Sequence, residues 1–303
     1  MLNIAETLTW FDEMGVDVTL EDTPQNQLAS KTKTPPILSA KQEPETRAAP
    51  PIASREIAND IPPAPVTPKK PMVSSFVPAV EASAPVVTNP VAAIASAREA
   101  SDKAKTLEDL RKAVEAFDGC TIKKSANNTV FSDGVATASV MLIGEAPGAN
   151  EDLEGIPFCG ASGQLLDEML KHIGLLRKEN FYITNTLFWR PPGNRRPTPE
   201  EIAMCKPFVE KHIALIKPKL IILVGATAIT SVLNSKTGIS QVRGKYYDYT
   251  NIYLDEPIKT TAIFHPSYLL RSPGQKRIVW KDLLEIEAFL KEHMENFVEN
   301  KTA

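Results

Sequence analysis

The chain has 303 residues, a formal net charge of -3 and three cysteines. That length allows one or two domains, and the near-neutral charge rules out a globally basic nucleic-acid binder while leaving room for a local basic groove. Three scattered cysteines make no secreted disulfide framework and fit a reducing compartment, so a cytoplasmic protein is expected. No apolar run reaches the roughly 18 residues of a spanning helix, and Glu6, Asp12 and Glu13 stand where a signal peptide would be basic.

In chain order, Leu2, Ile4, Leu8, Phe11 and Met14 fall near one helical face. They predict a short amphipathic helix over 1–14, which either docks back on the domain or binds a protein partner. Residues 15–97 hold 14 of the 25 prolines, with Pro-Pro pairs at 35–36, 50–51 and 62–63. Proline removes backbone donors and fixes φ, so this stretch is expected to be a disordered linker. A globular domain is expected over 98–298. Leu107, Leu110, Val114 and Phe117 recur at helical spacing and predict a helix ending near Gly119.

The continuous apolar run 140–143 reads as a buried strand, and it leads straight into Gly144-Glu145-Ala146-Pro147-Gly148. In open α/β sheets, ligands sit at the loops leaving the carboxyl ends of strands. A helix is expected over 160–174, then a strand over 181–184 that ends at Asn185. Residues 190–199 form a rigid basic loop. Thr198, Pro199 and Glu201 make a capping box for a helix reaching about Lys217. A strand over 220–224 follows, and Gly225 opens another helix. A polar-aromatic strand pair is expected over 242–253. The last strand, 260–264, delivers His265-Pro266-Ser267-Tyr268-Leu269-Leu270-Arg271 before a terminal helix over 275–295. Alternating strands and helices predict an α/β fold, a three-layer α/β/α sandwich around a central, mostly parallel four-stranded sheet.

Taken singly, each distinctive residue also has a plain structural reading. Phe158 fits a core position, Asn185 a strand-end turn, and His265 a structural contact. Taken together, five motifs occur in order: Gly144–Gly148 with Glu151-Asp152, the stretch 155–160, Ile183-Thr184-Asn185, Arg190-Pro191-Pro192-Gly193-Asn194, and His265-Pro266-Ser267. Over about 120–293 the sequence thereby resembles the uracil-DNA glycosylase superfamily, and most closely its family-four branch.

The resemblance implies a site for a pyrimidine flipped out of DNA. Phe158 would stack on the base. Asn185 would pair with the uracil edge, matching its N3–H and O4 and mismatching cytosine. His265 would donate to O2 as negative charge grows on the departing ring. The Gly144–Ala146 backbone would approach the base. Ala146 occupies a position where some relatives carry a catalytic aspartate, so Glu145 becomes the candidate for positioning water. Glu151 would guard the C5 edge against thymine. Tyr268, Leu269 and Leu270 would form the wedge filling the gap in the stack, with packing under the last helix as the alternative. Arg190, Arg195, Arg196, Arg243, Lys245, Arg271, Lys276 and Arg277 would supply a basic rim for phosphates.

One feature departs from the family-four pattern. Members of that branch hold an iron–sulfur cluster on four cysteines. The corresponding positions here read Cys120, Lys123, Trp189 and Cys205. Lysine and tryptophan do not replace thiolates, so no 4Fe-4S cluster and no other metal is expected. The remaining Cys159 belongs to the Phe158 loop. The expected function is excision of uracil from DNA by a monomeric glycosylase that initiates base-excision repair. The alternatives are a catalytically weak DNA-binding protein of the same fold and a glycosylase acting on further deaminated bases.

Overall fold

The computed structural model describes residues 89–294. The helix expected over 1–14 lies outside them, as does the expected linker up to residue 88. The linker's last residues behave otherwise than expected: they are helical from Pro90. Helix α1 (Pro90–Lys103) starts with Asn89 as N-cap, whose side chain accepts from the Val91 amide. Pro90 is at the first helical position, where proline initiates a helix instead of breaking it. Ala93, Ala97 and Ser101 of α1 are buried, so the folded domain begins about eight residues earlier than composition indicates.

Helix α2 (Leu107–Ala116) is opened by a Thr106–Asp109 capping box. After a short 3₁₀ turn come β1 (Asp133–Gly134), β2 (Val140–Gly144), α3 (Ala149–Glu154), α4 (Ala161–Lys171) and β3 (Phe181–Asn185). Then follow α5 (Pro199–Ile216), β4 (Leu220–Val224), α6 (Ala226–Leu233), α7 (Ile239–Val242), β5 (Tyr247–Tyr249), β6 (Ile258–Ile263), α8 (Pro266–Arg271) and α9 (Lys276–His293). The Thr198 capping box opens α5 as the sequence predicts.

The sheet has six strands in the order β1-β3-β2-β4-β6-β5. The inner four, β3-β2-β4-β6, are mutually parallel, and β1 and β5 close the two edges antiparallel. The expected four-stranded parallel core is therefore extended by one short strand on each side. Only β5 forms within the strand pair expected over 242–253, and it pairs with β6.

Side chains alternate across the sheet with the period of two that a pleated strand imposes. Met141, Ile143, Tyr182, Ile221 and Leu223 face one core with α1, α2, α5 and α6. Val140, Leu142, Phe181, Ile183, Leu220 and Ile222 face the other with α4, α8 and α9. Burial on both faces explains why these strands read as unbroken apolar runs. The register aligns Gly144 with Asn185 and Val224 with Ile263. Four strand ends thus stop at one level, and the loops beginning at Glu145, Thr186, Gly225 and Phe264 emerge side by side.

Candidate active site

These loops surround a cleft of about 780 Å³ that includes Glu145, Phe158, Asn185, Thr227, His265 and Arg271 in its lining. The expected trio of ring, amide and imidazole meets there. The Phe158 and His265 rings lie 5.7 Å apart between centroids. A methyl group placed on Gly144 would stand 2.4 Å from both Asn185 Oδ1 and Phe158 Cζ. Only a glycine at the end of β2 lets amide and ring approach the same point. Gly225, at φ 98°, gives His265 similar room: a methyl there would be 3.1 Å from His265 Cβ.

Asn185 is buried, and its Oδ1 has no hydrogen-bond partner within the protein. An unpaired buried amide oxygen is costly, of order 1–3 kcal/mol, and is the usual mark of a group awaiting a ligand. Phe158 carries a second cost. Its φ is 53°, a left-handed conformation worth about 1–3 kcal/mol of strain in a residue with a side chain.

The His265 imidazole has a defined proton arrangement. Nδ1 accepts the Ser267 backbone N–H at 3.2 Å and lies 2.9 Å from Ser267 Oγ. An accepting Nδ1 places the proton of the neutral ring on Nε2. Burial holds the pKa below the ordinary value; Glu145 opposes this shift and Arg271 adds to it. At neutral pH the ring is therefore an uncharged Nε2–H donor.

Glu145 lines the cleft, and its Oε2 accepts a 2.6 Å hydrogen bond from Thr227 Oγ1. Its backbone carbonyl is fixed by the Thr186 hydroxyl at 2.6 Å. Glu151 also lines the cleft, but both its oxygens are engaged: Oε2 accepts from Gly148 N at 3.0 Å and Oε1 from Gly160 N at 2.9 Å. It braces the Gly144–Gly148 loop against the Phe158 loop.

The rim is less uniform than the sequence implies. Lys245, Arg271 and Arg196 are exposed. Arg195 is exposed but forks onto Glu201 at 2.5 and 2.8 Å. Arg190 donates to Asn194 at 2.7 Å. Arg243 turns into the fold, gripping Asp282 at 2.7 and 2.8 Å with its guanidinium near the Phe264 ring. Lys276 is buried. In the wedge segment, Leu269 is fully buried in the core, whereas Leu270 is 47% exposed and Tyr268 lines the cleft. Leu269 sits on the inner face of α8 and cannot project outward.

Two contributors went unnoticed in the sequence. Thr227 lies outside every motif, and its role depends on β4 ending beside β2. Arg177 hydrogen-bonds the carbonyls of Pro157 and Phe158 at 2.8 and 3.0 Å, from a turn that carries no motif signal.

The profile of the uracil DNA glycosylase superfamily matches residues 131–284. The chain belongs to the uracil-DNA glycosylase superfamily. It is 39% identical over 186 residues to the type-4 uracil-DNA glycosylase of Archaeoglobus fulgidus, covering 60% of this chain and 92% of that protein. Similarity to the type-4 enzyme of Thermotoga maritima is 37% over 188 residues, 61% of this chain and 95% of that one. The type-4 enzyme of Sulfurisphaera tokodaii is 37% identical over 186 residues, 60% of this chain and 83% of that one.

Membership raises the question of the four-cysteine cluster, and the residues at its positions do not fit one. Trp189 is 1% exposed, stacks on Phe117 with centroids 6.5 Å apart, and donates its indole N–H to Thr129 Oγ1 at 3.0 Å. Lys123 points its ammonium to the Glu115 carbonyl at 2.5 Å and Asp118 at 2.7 Å. Cys120 and Cys205 are both buried, and their thiols interact with each other. That contact lowers the pKa of Cys120 and, with burial, raises that of Cys205. Indole carbon fills the space, and only two thiols remain. Among the described residues no group of three or more His, Cys, Asp and Glu side chains could hold a metal ion. No described helix is long and apolar enough to cross a membrane.

Proposed function

We infer that this protein is a uracil-DNA glycosylase, which hydrolyses the N-glycosidic bond of a deoxyuridine flipped out of DNA and leaves free uracil and an abasic site. Its relatives named as type-4 uracil-DNA glycosylases support the class of reaction. The observation that carries it to the residues is the unpaired Asn185 oxygen, held beside the Phe158 ring at the floor of the cleft.

The chemistry follows from that arrangement. Extrusion of the nucleotide costs a few kcal/mol, least for a mispaired base. Phe158 covers one face of the uracil, a contact worth roughly 1–3 kcal/mol. The Asn185 amide accepts from N3–H and donates to O4. Cytosine offers the reverse pattern and leaves both sides unpaired. As the glycosidic bond lengthens, electrons flow into the ring, and the His265 Nε2–H donates to O2 where the charge collects. A neutral donor does this without a prior proton transfer. The sugar becomes cationic, so the attacking water needs orientation more than activation. Glu145, held by Thr227, is the group for that task. Leu270 and Tyr268 occupy the gap in the stack, and Arg271, Lys245 and Arg196 engage phosphates.

We also propose that the protein works without an iron–sulfur cluster, on the strength of the indole-filled core at Trp189. The substrate is uracil-containing DNA in a reducing, cytoplasmic setting, and the Pro-rich N-terminal region acts as a tether for a partner-binding segment over 1–14. Truncation at residue 88 leaves the chemistry intact, whereas truncation at 97 cuts into α1.

The decisive assay uses an end-labelled oligonucleotide with one uracil, placed opposite G, opposite A or unpaired, followed by alkali. Cleavage at the uracil position is expected. An uncleaved strand bound by the protein would mean a DNA-binding member of the superfamily without glycosylase activity.

A further inference from the structure

We propose that Arg177 is a positioning residue for the base site: its guanidinium holds Phe158 in the left-handed conformation that presents the ring to the extruded pyrimidine. The inference rests on the uracil reading above and deepens it.

Arg177 lies 19 residues beyond Phe158, in the turn between α4 and β3. Nη1 donates to the Pro157 carbonyl at 2.8 Å, and Nη2 to the Phe158 carbonyl at 3.0 Å. Nε and Nη2 straddle Asp167 of α4 at 3.0 and 2.9 Å. The second Nη1 hydrogen faces Asp133 of β1 at 3.3 Å. All five N–H donors of the fork are thereby matched. The group also lies over the Phe181 ring, 5.9 Å from its centroid.

Two consecutive carbonyls aimed at one cation require a local curl, since an extended chain points them to opposite sides. The curl here is Phe158 at φ 53°. From the other side, Gly163 in the first turn of α4 lets the same carbonyl approach: a methyl on Gly163 would stand 1.7 Å from Phe158 O. A strained residue persists only where its surroundings over-determine it, and Arg177 and Gly163 do so together. The consequence is the placement of the Phe158 ring against Gly144 and 5.7 Å from His265. Lysine keeps the charge but offers three donors on a point cation, too few for two carbonyls and two carboxylates.

The test uses the full-length protein with R177K, F158L, the double variant and D133A. The readouts are the inhibition constant of free uracil, and KM and kcat on a single-uracil oligonucleotide. R177K is expected to raise both the inhibition constant and KM about tenfold, as loss of a stacking contact does, while kcat falls less than about threefold. In the F158L background R177K adds less than about twofold, because the two act through one ring. D133A releases a single donor from an acid that is 40% exposed. It moves the same constants about two- to threefold, and it decides the matter if R177K does not fold. The proposal is overturned if R177K binds uracil like the parent, if its effect multiplies with that of F158L, or if D133A leaves the constants unchanged. A parent protein that releases no uracil from DNA sinks the underlying reading and this inference with it. An active parent with an unaffected R177K sinks this inference alone.

Discussion

Asn185 and Trp189 stand on the same exit from β3, yet they belong to two regions that treat polar groups in opposite ways. Around Trp189 the interior is closed. The indole N–H has the Thr129 hydroxyl, the Lys123 ammonium has a carbonyl and a carboxylate, and the two thiols have each other. Around Asn185 the interior is held open. An amide oxygen lacks a partner, a phenylalanine is strained, and a cleft-lining histidine has its Nδ1 tied to Ser267. The groups packed around Trp189 follow the rule that buried polar groups are paired, with His212 Nδ1 as the exception on that side. The second region breaks it at the Asn185 oxygen and adds the strain at Phe158, and costs are retained in a fold where binding or catalysis offsets them. The lesson is that packing has filled the interior around Trp189, whereas the cleft retains an unpaired amide oxygen.

The comparison can be broken from either side. The largest effect belongs to the closed region: Trp189→Ala removes a fully buried indole and costs about 3–5 kcal/mol of stability. It leaves single-turnover excision unchanged at a temperature where the variant stays folded, as urea denaturation and rapid quench together would establish. If Trp189→Ala abolishes chemistry in the folded protein, the two regions are not separable.

In the open region the order reverses. His265→Ala and Asn185→Ala each lower kcat by about 10²–10³, the scale of removing one transition-state donor. Asn185→Ala leaves the thermal midpoint unchanged or raised, since it deletes an unpaired group, whereas His265→Ala lowers it slightly by removing the cap on Ser267. A midpoint that falls steeply with Asn185→Ala would recast that residue as structural.

His212 sharpens the boundary, because it is a buried polar group with Nδ1 unpaired on the closed side. Burial pushes its pKa down to about 3, while Nε2 bonds the Tyr182 hydroxyl at 2.7 Å. The unfolded ring titrates near its ordinary value of about 6.5, so the unfolded state binds the proton first. Stability contributed by the neutral ring is whole above that pH and is lost as pH falls toward the folded value, about 2 kcal/mol between pH 7 and pH 5. His212→Gln should remove this slope in urea midpoints measured across the window. An unchanged slope would assign the acid sensitivity to other groups.

The smallest effect concerns Thr227. Thr227→Val frees the Glu145 carboxylate from its 2.6 Å hydroxyl partner and lowers kcat about tenfold with KM unchanged, the size of one bond to an ionised group. Thr227→Ser restores the rate. Failure of serine to rescue would tie the loss to the methyl group rather than the hydroxyl.

How far the sequence was legible follows from where each role originates. Asn185 and His265 stand in short contiguous motifs at strand ends and Phe158 in one between α3 and α4, so local pattern singles them out and the fold brings all three to one cleft. The inner strands were equally plain, being apolar on both faces. Roles set by distant contacts were not. Nothing near Arg177 in the chain reveals that its fork will meet the Phe158 carbonyl, and Arg243 looks like a phosphate ligand until Asp282 is found beside it. Leu269 reads as a wedge residue because adjacent apolar residues look alike until the helix phase of α8 is known. Proline content places Pro90 in the linker, although the same residue after Asn89 is a helix start. The edge strands β1 and β5 are two and three residues long, too short for any period to register.

The central claim is that an intact base site operates beside a filled cluster position. Uracil release from a single-uracil oligonucleotide and iron content, measured on one purified preparation, test it together. The account predicts stoichiometric release by protein holding far less than one iron per chain. Activity confined to a fraction carrying about four irons per chain, or no release at all, would contradict it.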